Sequence, residues 1–165
     1  MSEAQGPGVR YTVWVQGCSI HCPQCSNIDT WDFKNGEEID VDTLITDIMR
    51  MKDLDGITIT GGEPLDQYGA VYELCLKLFG KISIFITTGY PWEKVSHQFL
   101  WDCVDIVCAG PFEADKICSG KWMGSSNQEL LFLTERGKKQ SQMPVVLKEI
   151  HIHKDGSAIE TGFTV

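Results

Sequence analysis

The stretch Cys18-Ser-Ile-His-Cys22-Pro-Gln-Cys25 places three cysteines within eight residues, at the spacing C-x3-C-x2-C. It follows an apolar run at residues 11–16 and a glycine at position 17. Thiolates this close in sequence can bind one metal centre from a single loop, and iron–sulfur clusters usually take four of them. Three local ligands and no obvious fourth therefore predict a [4Fe–4S] cluster with one iron left open. An open coordination position is typical of metal sites that perform chemistry.

A structural zinc site is the alternative for this loop, with His21, His97 or a distant cysteine as the fourth ligand. Zinc sites typically consist of two separated ligand pairs, and no second C-x2-C or H-x3-H follows at that spacing. Cys75 lies on a predicted helical face, and we expect it in the core. The spacing of Cys103, Cys108 and Cys118 is irregular and gives little support to a second metal site.

The composition predicts one globular domain without nucleic-acid or membrane partners. The chain has 165 residues, 42% hydrophobic and 22% charged, which is enough for one core and too few for two domains. Its net charge of −9 disfavours nucleic acid and anionic membranes, which attract basic surfaces. The start Met-Ser-Glu-Ala-Gln lacks the regions of a signal peptide, and no apolar run reaches membrane-spanning length. With seven cysteines, an odd number, these features favour the reducing cytoplasm.

Strand-like and helix-like segments alternate along the chain, which predicts βαβ units and a parallel sheet. Runs rich in β-branched and aromatic residues predict strands at 11–16, 57–60, 81–87 and 105–108. Apolar periodicity predicts helices near 42–49, with Asp42 as N-cap, and at 66–79 and 91–100. In the tail, residues 145–153 and 158–165 flank an Asp-Gly turn. This pattern predicts an antiparallel hairpin, which we expect to cover a sheet edge.

Unusual residues follow each predicted strand. The cysteine loop follows the first, Gly61-Gly-Glu-Pro64 the second, Thr87-Thr-Gly-Tyr90 the third and Ala109-Gly-Pro-Phe112 the fourth. Sites in parallel α/β folds gather at the carboxyl ends of strands, so these segments predict one site. Gly61 and Gly62 leave the backbone open to a ligand, and Glu63 offers a negative charge suited to an ammonium group. A plain strand-to-helix turn is the alternative interpretation of this second segment.

These motifs resemble the radical S-adenosylmethionine (SAM) enzymes, in which C-x3-C-x2-C follows the first strand. Within that superfamily the chain resembles the anaerobic ribonucleotide reductase activating proteins. The similar segments run in family order: Gly6-Pro-Gly-Val-Arg10, Val15-Gln-Gly-Cys18, Asn27 to Trp31, Thr88-Gly-Tyr90, Gly110-Pro-Phe112 and Gly124-Ser-Ser-Asn-Gln128. The chain departs from the pattern at Gln24, where the superfamily often has an aromatic residue, and at Ala109, where the activating proteins commonly have Asp.

The resemblance implies a fold, two cofactors and a set of site residues. The fold is α/β, an incomplete (βα) barrel of the radical SAM type in a single domain over residues 1–165. Its core covers about residues 11–130, and residues 131–165 form a C-terminal extension with the β-hairpin. The cluster ligands are Cys18, Cys22 and Cys25. SAM is implied to bind along Gly61, Gly62, Glu63, Pro64, Thr87, Thr88, Asn27 and Ser126. Its methionyl amine is implied to lie at Gly61, Gly62 and Glu63.

The resemblance also implies an activity. A cluster reduced by flavodoxin or ferredoxin donates an electron to SAM, giving methionine and a 5′-deoxyadenosyl radical. The radical acts on a large partner, an anaerobic ribonucleotide reductase, and leaves it with a glycyl radical. One alternative is the same cleavage applied to a metabolite or peptide, with the tail as a wall of the substrate site. The other is a non-catalytic zinc or Fe–S binding module.

Overall fold

The computed structural model, which describes residues 1–162, is built on a five-stranded sheet whose strand order follows the chain. The strands are β1 (Arg10–Val15), β2 (Gly56–Gly61), β3 (Ser83–Thr88), β4 (Ile106–Ala109) and β5 (Glu129–Phe132). The first four are parallel, and β5 runs antiparallel to β4. The parallel α/β sheet predicted from the alternating pattern is therefore confirmed for the first four strands.

Helices and short 3₁₀ turns connect these strands. The helices are α1 (Val41–Arg50), α2 (Tyr68–Leu78), α3 (Trp92–Val95) and α4 (Glu135–Gln140), and the turns are Ile28–Thr30, Pro64–Gln67, Phe99–Cys103 and Ala114–Lys116. Asp40 caps α1, because its carboxylate accepts hydrogen bonds from the Asp42 and Thr43 backbone N–H groups. The prediction of Asp42 as N-cap was wrong. None of the helices described is long and apolar enough to span a membrane.

Two connections differ from the sequence-based prediction. The helix expected over residues 91–100 is only α3, followed by the 3₁₀ turn Phe99–Cys103. The Trp101 indole N–H donates to the Val95 carbonyl oxygen at 2.7 Å, which holds the chain in this tighter path. Strand β5 was not predicted, because its four residues are too few to show an alternation.

The two faces of the sheet pack against different parts of the chain. Because side chains alternate along a strand, Ile57 and Ile84 lie on one face and pack with α2 residues such as Leu74. Phe85, on the other face, packs with Trp122 from the loop after β4. The cysteines buried in these two cores are Cys75, as expected, Cys103 and Cys108.

The predicted C-terminal hairpin is confirmed. It consists of β6 (Lys148–Ile152) and β7 (Ala158–Gly162), which pair antiparallel as a separate two-stranded sheet. Residues 163–165 of the predicted second strand lie outside the described residues.

Hydrogen bonds join this hairpin to the N-terminal segment. The Glu149 carboxylate accepts from the backbone N–H groups of Glu3 and Ala4 at 3.0 and 3.2 Å, and from the Ser2 hydroxyl. Ser2 pairs with Arg10, the first residue of edge strand β1. These contacts place the hairpin at the end of the sheet where edge strand β1 starts.

Arg10 is fully buried and ties three segments together. Burial lowers the pKa of its guanidinium to about 9, while the charges of Asp105 and Asp55 oppose the shift. The side chain therefore remains a cation at neutral pH. It donates hydrogen bonds at 2.6–3.2 Å to the carbonyl oxygens of Pro7, Ile57 and Ser83 and to the Thr58 hydroxyl.

We expect Arg10→Met to lower the free energy of unfolding by about 3 kcal/mol, because it leaves several buried oxygens without a donor. Denaturant unfolding of the variant and the wild type measures the difference. Arg50→Met is the control, since Arg50 is exposed in the last turn of α1 and its replacement should cost about 0.5 kcal/mol or less. Equal small losses in both variants would contradict the role given to Arg10.

Candidate active site

Four loops follow the carboxyl ends of the four parallel strands, at one end of the sheet, as predicted. The cysteine loop (residues 17–34) follows β1, and the others lie at 62–67, 89–91 and 110–128. Hydrogen bonds join the first three loops: the Glu63 N–H donates to the Gly17 carbonyl oxygen at 2.8 Å, and the Gly89 N–H donates to the Glu63 carboxylate at 2.8 Å. These segments therefore form one continuous site.

The cysteine loop folds back on itself. The Cys18 N–H donates to the Trp31 carbonyl oxygen at 3.1 Å, which brings the two ends of the loop together. His21 and Gln24, which directly precede the second and third cysteines, have left-handed backbones with φ of 53° and 59°. Such conformations are strained in residues other than glycine, and they concentrate at functional sites. The local path of this loop is thus set by the fold around it.

The three thiols differ in their surroundings. Cys18 is buried, and Cys22 and Cys25 are half-buried. Burial raises the pKa of Cys22, a hydrogen bond from the Phe112 backbone lowers it, and the charges of the other two thiols raise it. The Asn27 backbone N–H donates to the Cys25 sulfur at 3.4 Å. The Cys25 sulfur therefore receives a backbone hydrogen bond, a contact that tunes iron–sulfur clusters.

The chemistry of these donors fits a [4Fe–4S] cluster held by three cysteines. Of the remaining cysteines, three lie in the cores and Cys118 approaches the Met123 carbonyl oxygen. His21 stacks on Trp31 with ring centroids 4.5 Å apart, and His97 is exposed beyond α3. Within residues 1–162, no three Cys, His, Asp or Glu side chains already stand in a metal-binding arrangement. The ligand set therefore stays a prediction from the cysteine spacing.

Gly61 and Gly62 lie where the end of β2 meets the cysteine loop. Gly61 has a φ of +101°, and a Cβ on Gly62 would lie 2.1 Å from the Gly17 carbonyl oxygen. The Gly62 N–H donates to the Val15 carbonyl oxygen at 2.8 Å. Gly61 is therefore required by its backbone conformation, and Gly62 by the close packing of its turn on the cysteine loop. Both reasons are independent of the ligand access predicted from the sequence.

Glu63 is 1% exposed, and both oxygens of its carboxylate accept hydrogen bonds. One accepts from the Leu65 N–H at 2.9 Å and the Thr88 hydroxyl at 2.8 Å, and the other from the Gly89 N–H at 2.8 Å. Burial raises the pKa of Glu63, while these three hydrogen bonds lower it. Within the described part of the chain no Lys, Arg or His side chain pairs with it. The carboxylate is thus hydrogen-bonded but has no counter-charge.

We expect Glu63→Gln to lower the free energy of unfolding by about 2 kcal/mol. Its NH₂ group must face one of the three donors, which leaves a buried polar group unsatisfied. Thermal or denaturant unfolding measures the change. Glu73→Gln is the matched control, because Glu73 forms only an exposed ion pair with Lys77 worth about 0.5 kcal/mol. A Glu63→Gln protein as stable as this control would show that the Glu63 carboxylate does not stabilise the junction of the loops after β2 and β3.

The two threonines predicted at the site have different surroundings. The Thr88 hydroxyl donates to Glu63 and accepts from the Tyr90 N–H at 3.2 Å, so it is committed to the protein. The half-buried Thr87 hydroxyl donates to the Thr60 hydroxyl at 2.7 Å. Thr87 and Thr60 therefore form a pair of hydroxyls on the face of the sheet opposite α2.

The remaining predicted site residues lie at different distances from the cysteine loop. Asn27 is in the loop itself, and Pro64 is buried at the start of the turn after Glu63. Ser126 is exposed and lines a cavity of about 430 Å³ together with Trp122 and other loop residues. Among the described hydrogen bonds, none joins Ser126 to the cysteine loop.

Sequence analysis missed two side chains that hold these loops in place. Gln16 donates to the carbonyl oxygens of Asp29 and Asp32 at 3.0 and 2.8 Å, which closes the cysteine loop. Gln128 donates to the Gly110 carbonyl oxygen at 2.9 Å and accepts from the Gly124 N–H at 2.9 Å. Both residues fall within the segments quoted for the resemblance, which is the only signal that marks them.

Comparison with known proteins extends this description. Residues 4–131 match the family model described as a 4Fe-4S single cluster domain. The anaerobic ribonucleoside-triphosphate reductase-activating protein of Escherichia coli K12 is 34% identical over 137 residues, covering 74% of this chain and 88% of that protein. The chain belongs to this family of radical SAM activating proteins.

Two further relatives agree with this assignment. The anaerobic ribonucleoside-triphosphate reductase-activating protein of Enterobacteria phage T4 is 29% identical over 132 residues, which covers 76% of this chain and 85% of that protein. The pyruvate formate-lyase-activating enzyme of Staphylococcus epidermidis is 36% identical over 84 residues, covering 47% of this chain and 34% of that enzyme. The resemblance predicted from the motifs is confirmed.

As a radical SAM activating protein, the chain uses a [4Fe–4S] cluster and SAM. The family match includes all four loops at the carboxyl ends of the strands and ends before β6. The hairpin therefore lies outside the part of the chain that matches the family model.

Proposed function

We propose that this activating protein generates a glycyl radical on an anaerobic ribonucleotide reductase. The observation that carries the proposal is the direct junction of the cysteine loop with the turn at Gly62-Glu63, in a chain of this family. When bound, the cluster and SAM would supply the one-electron radical chemistry that removes a hydrogen atom from the partner's glycine. The residues of the protein hold these groups, orient them and exclude water.

We assign the cluster to Cys18, Cys22 and Cys25. Each of these thiols must lose its proton to act as an iron ligand. Burial raises the pKa of the Cys22 thiol, and the nearby Phe112 backbone opposes that rise. The Asn27 backbone N–H donates a hydrogen bond to the Cys25 sulfur at 3.4 Å. The loops after β1 and β4 thus contribute jointly to the cluster site.

We assign the amino-acid part of SAM to the turn formed by Gly61, Gly62, Glu63 and Pro64. Glu63 supports this assignment because its buried charge has no counter-charge within the described residues. A buried carboxylate without a counter-charge is costly, and a ligand ammonium group would offset that cost. The hydroxyl pair of Thr60 and Thr87 is the candidate contact for the ribose. Thr88 contributes indirectly, because its hydroxyl donates a hydrogen bond to Glu63. Asn27 and Ser126 complete the proposed set.

We further propose that the sheet is part of an incomplete barrel whose open side faces the partner. In the described residues β1 is an edge strand. Trp14 on this strand is in register with Thr60 and is 44% exposed. An apolar side chain beside the open edge suits a surface that a large partner covers. Docking then encloses the radical and delivers the target glycine in one step.

The position of the hairpin bears on the alternative, in which this protein acts on a metabolite or peptide. That alternative needs β6 and β7 as a wall over the site. Glu149 instead holds the hairpin against residues 2–4, at the end of the sheet where β1 starts. The site lies at the opposite end, which favours the activating function.

We expect a variant truncated after residue 147 to retain most of the SAM cleavage measured with the reductase. Cleavage is followed as 5′-deoxyadenosine released under anaerobic conditions with dithionite, with and without an anaerobic ribonucleotide reductase. The full chain should cleave SAM slowly alone and faster with the reductase. Loss of turnover in a truncated protein that still binds its cluster would favour the metabolite alternative. No SAM cleavage by a cluster-loaded full chain would leave only the non-catalytic binding module.

The physiological electron donor and the compartment follow from the same proposal. We propose flavodoxin or ferredoxin as the donor and the cytoplasm as the location, since the cluster chemistry needs a low-potential reductant and a reducing environment. Replacing dithionite by either protein in its reduced form in the assay above tests the donor. If SAM is turned over with dithionite but with neither of these two proteins, the proposed donor is contradicted.

A further inference from the structure

One carboxylate holds the residue that directly follows the first cysteine of the loop. The Ser19 backbone N–H donates to Asp66 Oδ2 at 2.7 Å, and the Ser19 hydroxyl donates to Asp66 Oδ1 at 2.9 Å. Both oxygens of Asp66 are thus directed at a single residue of the cysteine loop. Asp66 belongs to the 3₁₀ turn Pro64–Gln67, far away in sequence.

This turn is itself fixed on the sheet. The Gln67 side chain donates to the Gln16 carbonyl oxygen at 2.7 Å, and the Glu63 carboxylate accepts from the Leu65 N–H at the start of the turn. Asp66 is therefore presented to the loop from a turn with anchors on both sides of it. An acid in the first turn of a helix often only complements the helix dipole, but here the carboxylate has two specific donors.

A third loop reaches the same place. The Tyr90 hydroxyl lies 3.3 Å from the Ser19 hydroxyl, and the Tyr90 N–H donates to the Thr88 hydroxyl, which bonds to Glu63. The loops after β1, β2 and β3 are consequently joined through Ser19. A shift of any one of them changes the position of the residue beside Cys18.

Two physical effects of Asp66 act on a cluster held at Cys18. The carboxylate takes up the Ser19 N–H, which is then not available to donate to a sulfur, and hydrogen bonds to sulfur tune the potential of a cluster. The carboxylate also places a negative charge near the ligands, and no Lys, Arg or His of the described residues forms an ion pair with it. Negative charge disfavours addition of an electron. Both effects lower the reduction potential.

We propose that Asp66 is a positioning residue that fixes the cluster loop at Ser19 and keeps the reduction potential of the cluster low. A low potential makes the reduced cluster a stronger electron donor, which the cleavage of SAM requires. The inference rests on the proposed function, because it takes Cys18 as a cluster ligand. It adds a role for a residue that no motif in the sequence marks.

Four variants of the full chain separate the charge of Asp66 from its hydrogen bonds. Asp66→Asn removes the charge and keeps an acceptor for the Ser19 N–H, whereas Asp66→Ala removes both. Ser19→Ala removes the hydroxyl and keeps the backbone hydrogen bond. Asp29→Asn is the matched control. Asp29 is an exposed acid of the cysteine loop, and its carboxylate makes no hydrogen bond among the described residues.

The readouts are the reduction potential of the reconstituted cluster, from an EPR-monitored redox titration without SAM, and the rate of iron loss to a chelator. We expect a more positive potential in Asp66→Asn and Asp66→Ala, and the fastest iron loss in Asp66→Ala. Ser19→Ala should keep the wild-type potential but lose iron faster, and Asp29→Asn should match the wild type in both.

An unchanged potential in Asp66→Asn overturns the inference, as does an equal shift in Asp29→Asn, which would reflect only the net charge of the loop. These results leave the proposed function intact, because the wild type still carries its cluster. Failure of the wild type to take up a [4Fe–4S] cluster overturns the proposed function and this inference together.

Discussion

Replacing Cys22 by alanine is expected to abolish cluster assembly and, with it, SAM cleavage. Cys22 is half-buried between the cysteine loop and the Phe112 backbone. No other thiol in the described residues is placed to substitute for it, since Cys75, Cys103 and Cys108 lie in the cores. An iron–sulfur cluster with two of its three protein ligands should not survive purification. Iron and sulfide content after anaerobic reconstitution, together with the absorbance of the cluster, measures the effect.

The control for this experiment is Cys118→Ala. Cys118 is half-buried in the loop after β4, where it packs against the second core and its sulfur approaches the Met123 carbonyl oxygen. This variant should assemble a full cluster and cleave SAM like the wild type. A Cys22→Ala protein with a full iron complement and normal 5′-deoxyadenosine yield would contradict the ligand assignment. Cys18→Ala and Cys25→Ala should behave like Cys22→Ala.

Gly62→Ala is expected to lower the free energy of unfolding by about 3 kcal/mol and to impair cluster assembly. Its Cβ would lie 2.1 Å from the Gly17 carbonyl oxygen, and the nearest atoms all belong to the backbone of Gly17. Backbone at this position cannot rotate away as a flexible side chain can, so β2 and the cysteine loop must separate. Denaturant unfolding and iron content measure the two losses.

Gly69→Ala is the matched control for this prediction. Gly69 lies in the first turn of α2, and its Cβ would meet nothing within 4 Å. Alanine in a helix should stabilise the protein by about 0.5 kcal/mol relative to glycine. A Gly62→Ala protein with wild-type stability and a full cluster would show that the two loops are not packed together as described. Weakened SAM binding alone would instead support the ligand access predicted from the sequence.

The cysteine loop and the parallel sheet could be predicted from the sequence because their signals are local. Three cysteines in one loop specify a metal site without any knowledge of the fold. Strands such as Gly56–Gly61 and Ser83–Thr88 are short β-branched runs bounded by turn residues. Each of these features depends on fewer than about ten neighbouring residues.

The contacts that organise the site could not be predicted in this way, because they join residues distant in sequence. Glu63 looked like a ligand for an ammonium group, and its bonds to Thr88 and Gly89 depend on β2 and β3 being neighbours. The same holds for Asp66 and Ser19, whose contact exists only when the turn after β2 meets the cysteine loop. Pattern and propensity contain no information on such pairs.

The packing role of Gly62 was missed for a related reason. A Gly-Gly pair at a strand end indicates an unusual backbone or a close approach, but not to what. In the fold, the close approach is to the Gly17 carbonyl oxygen of the cysteine loop. Strand β5 illustrates a different limit, since Glu129–Phe132 pairs with β4 through the sheet and carries too little pattern of its own.

The central claim, that this protein activates an anaerobic ribonucleotide reductase, is tested most directly by the EPR spectrum of that partner. The reconstituted protein, SAM, dithionite and the reductase are mixed anaerobically, and the doublet of a glycyl radical is quantified against 5′-deoxyadenosine formed. We predict a glycyl radical on the reductase that requires SAM and the wild-type protein and is absent with Cys22→Ala. SAM cleavage by the cluster-loaded protein without any glycyl radical on the reductase would contradict the account.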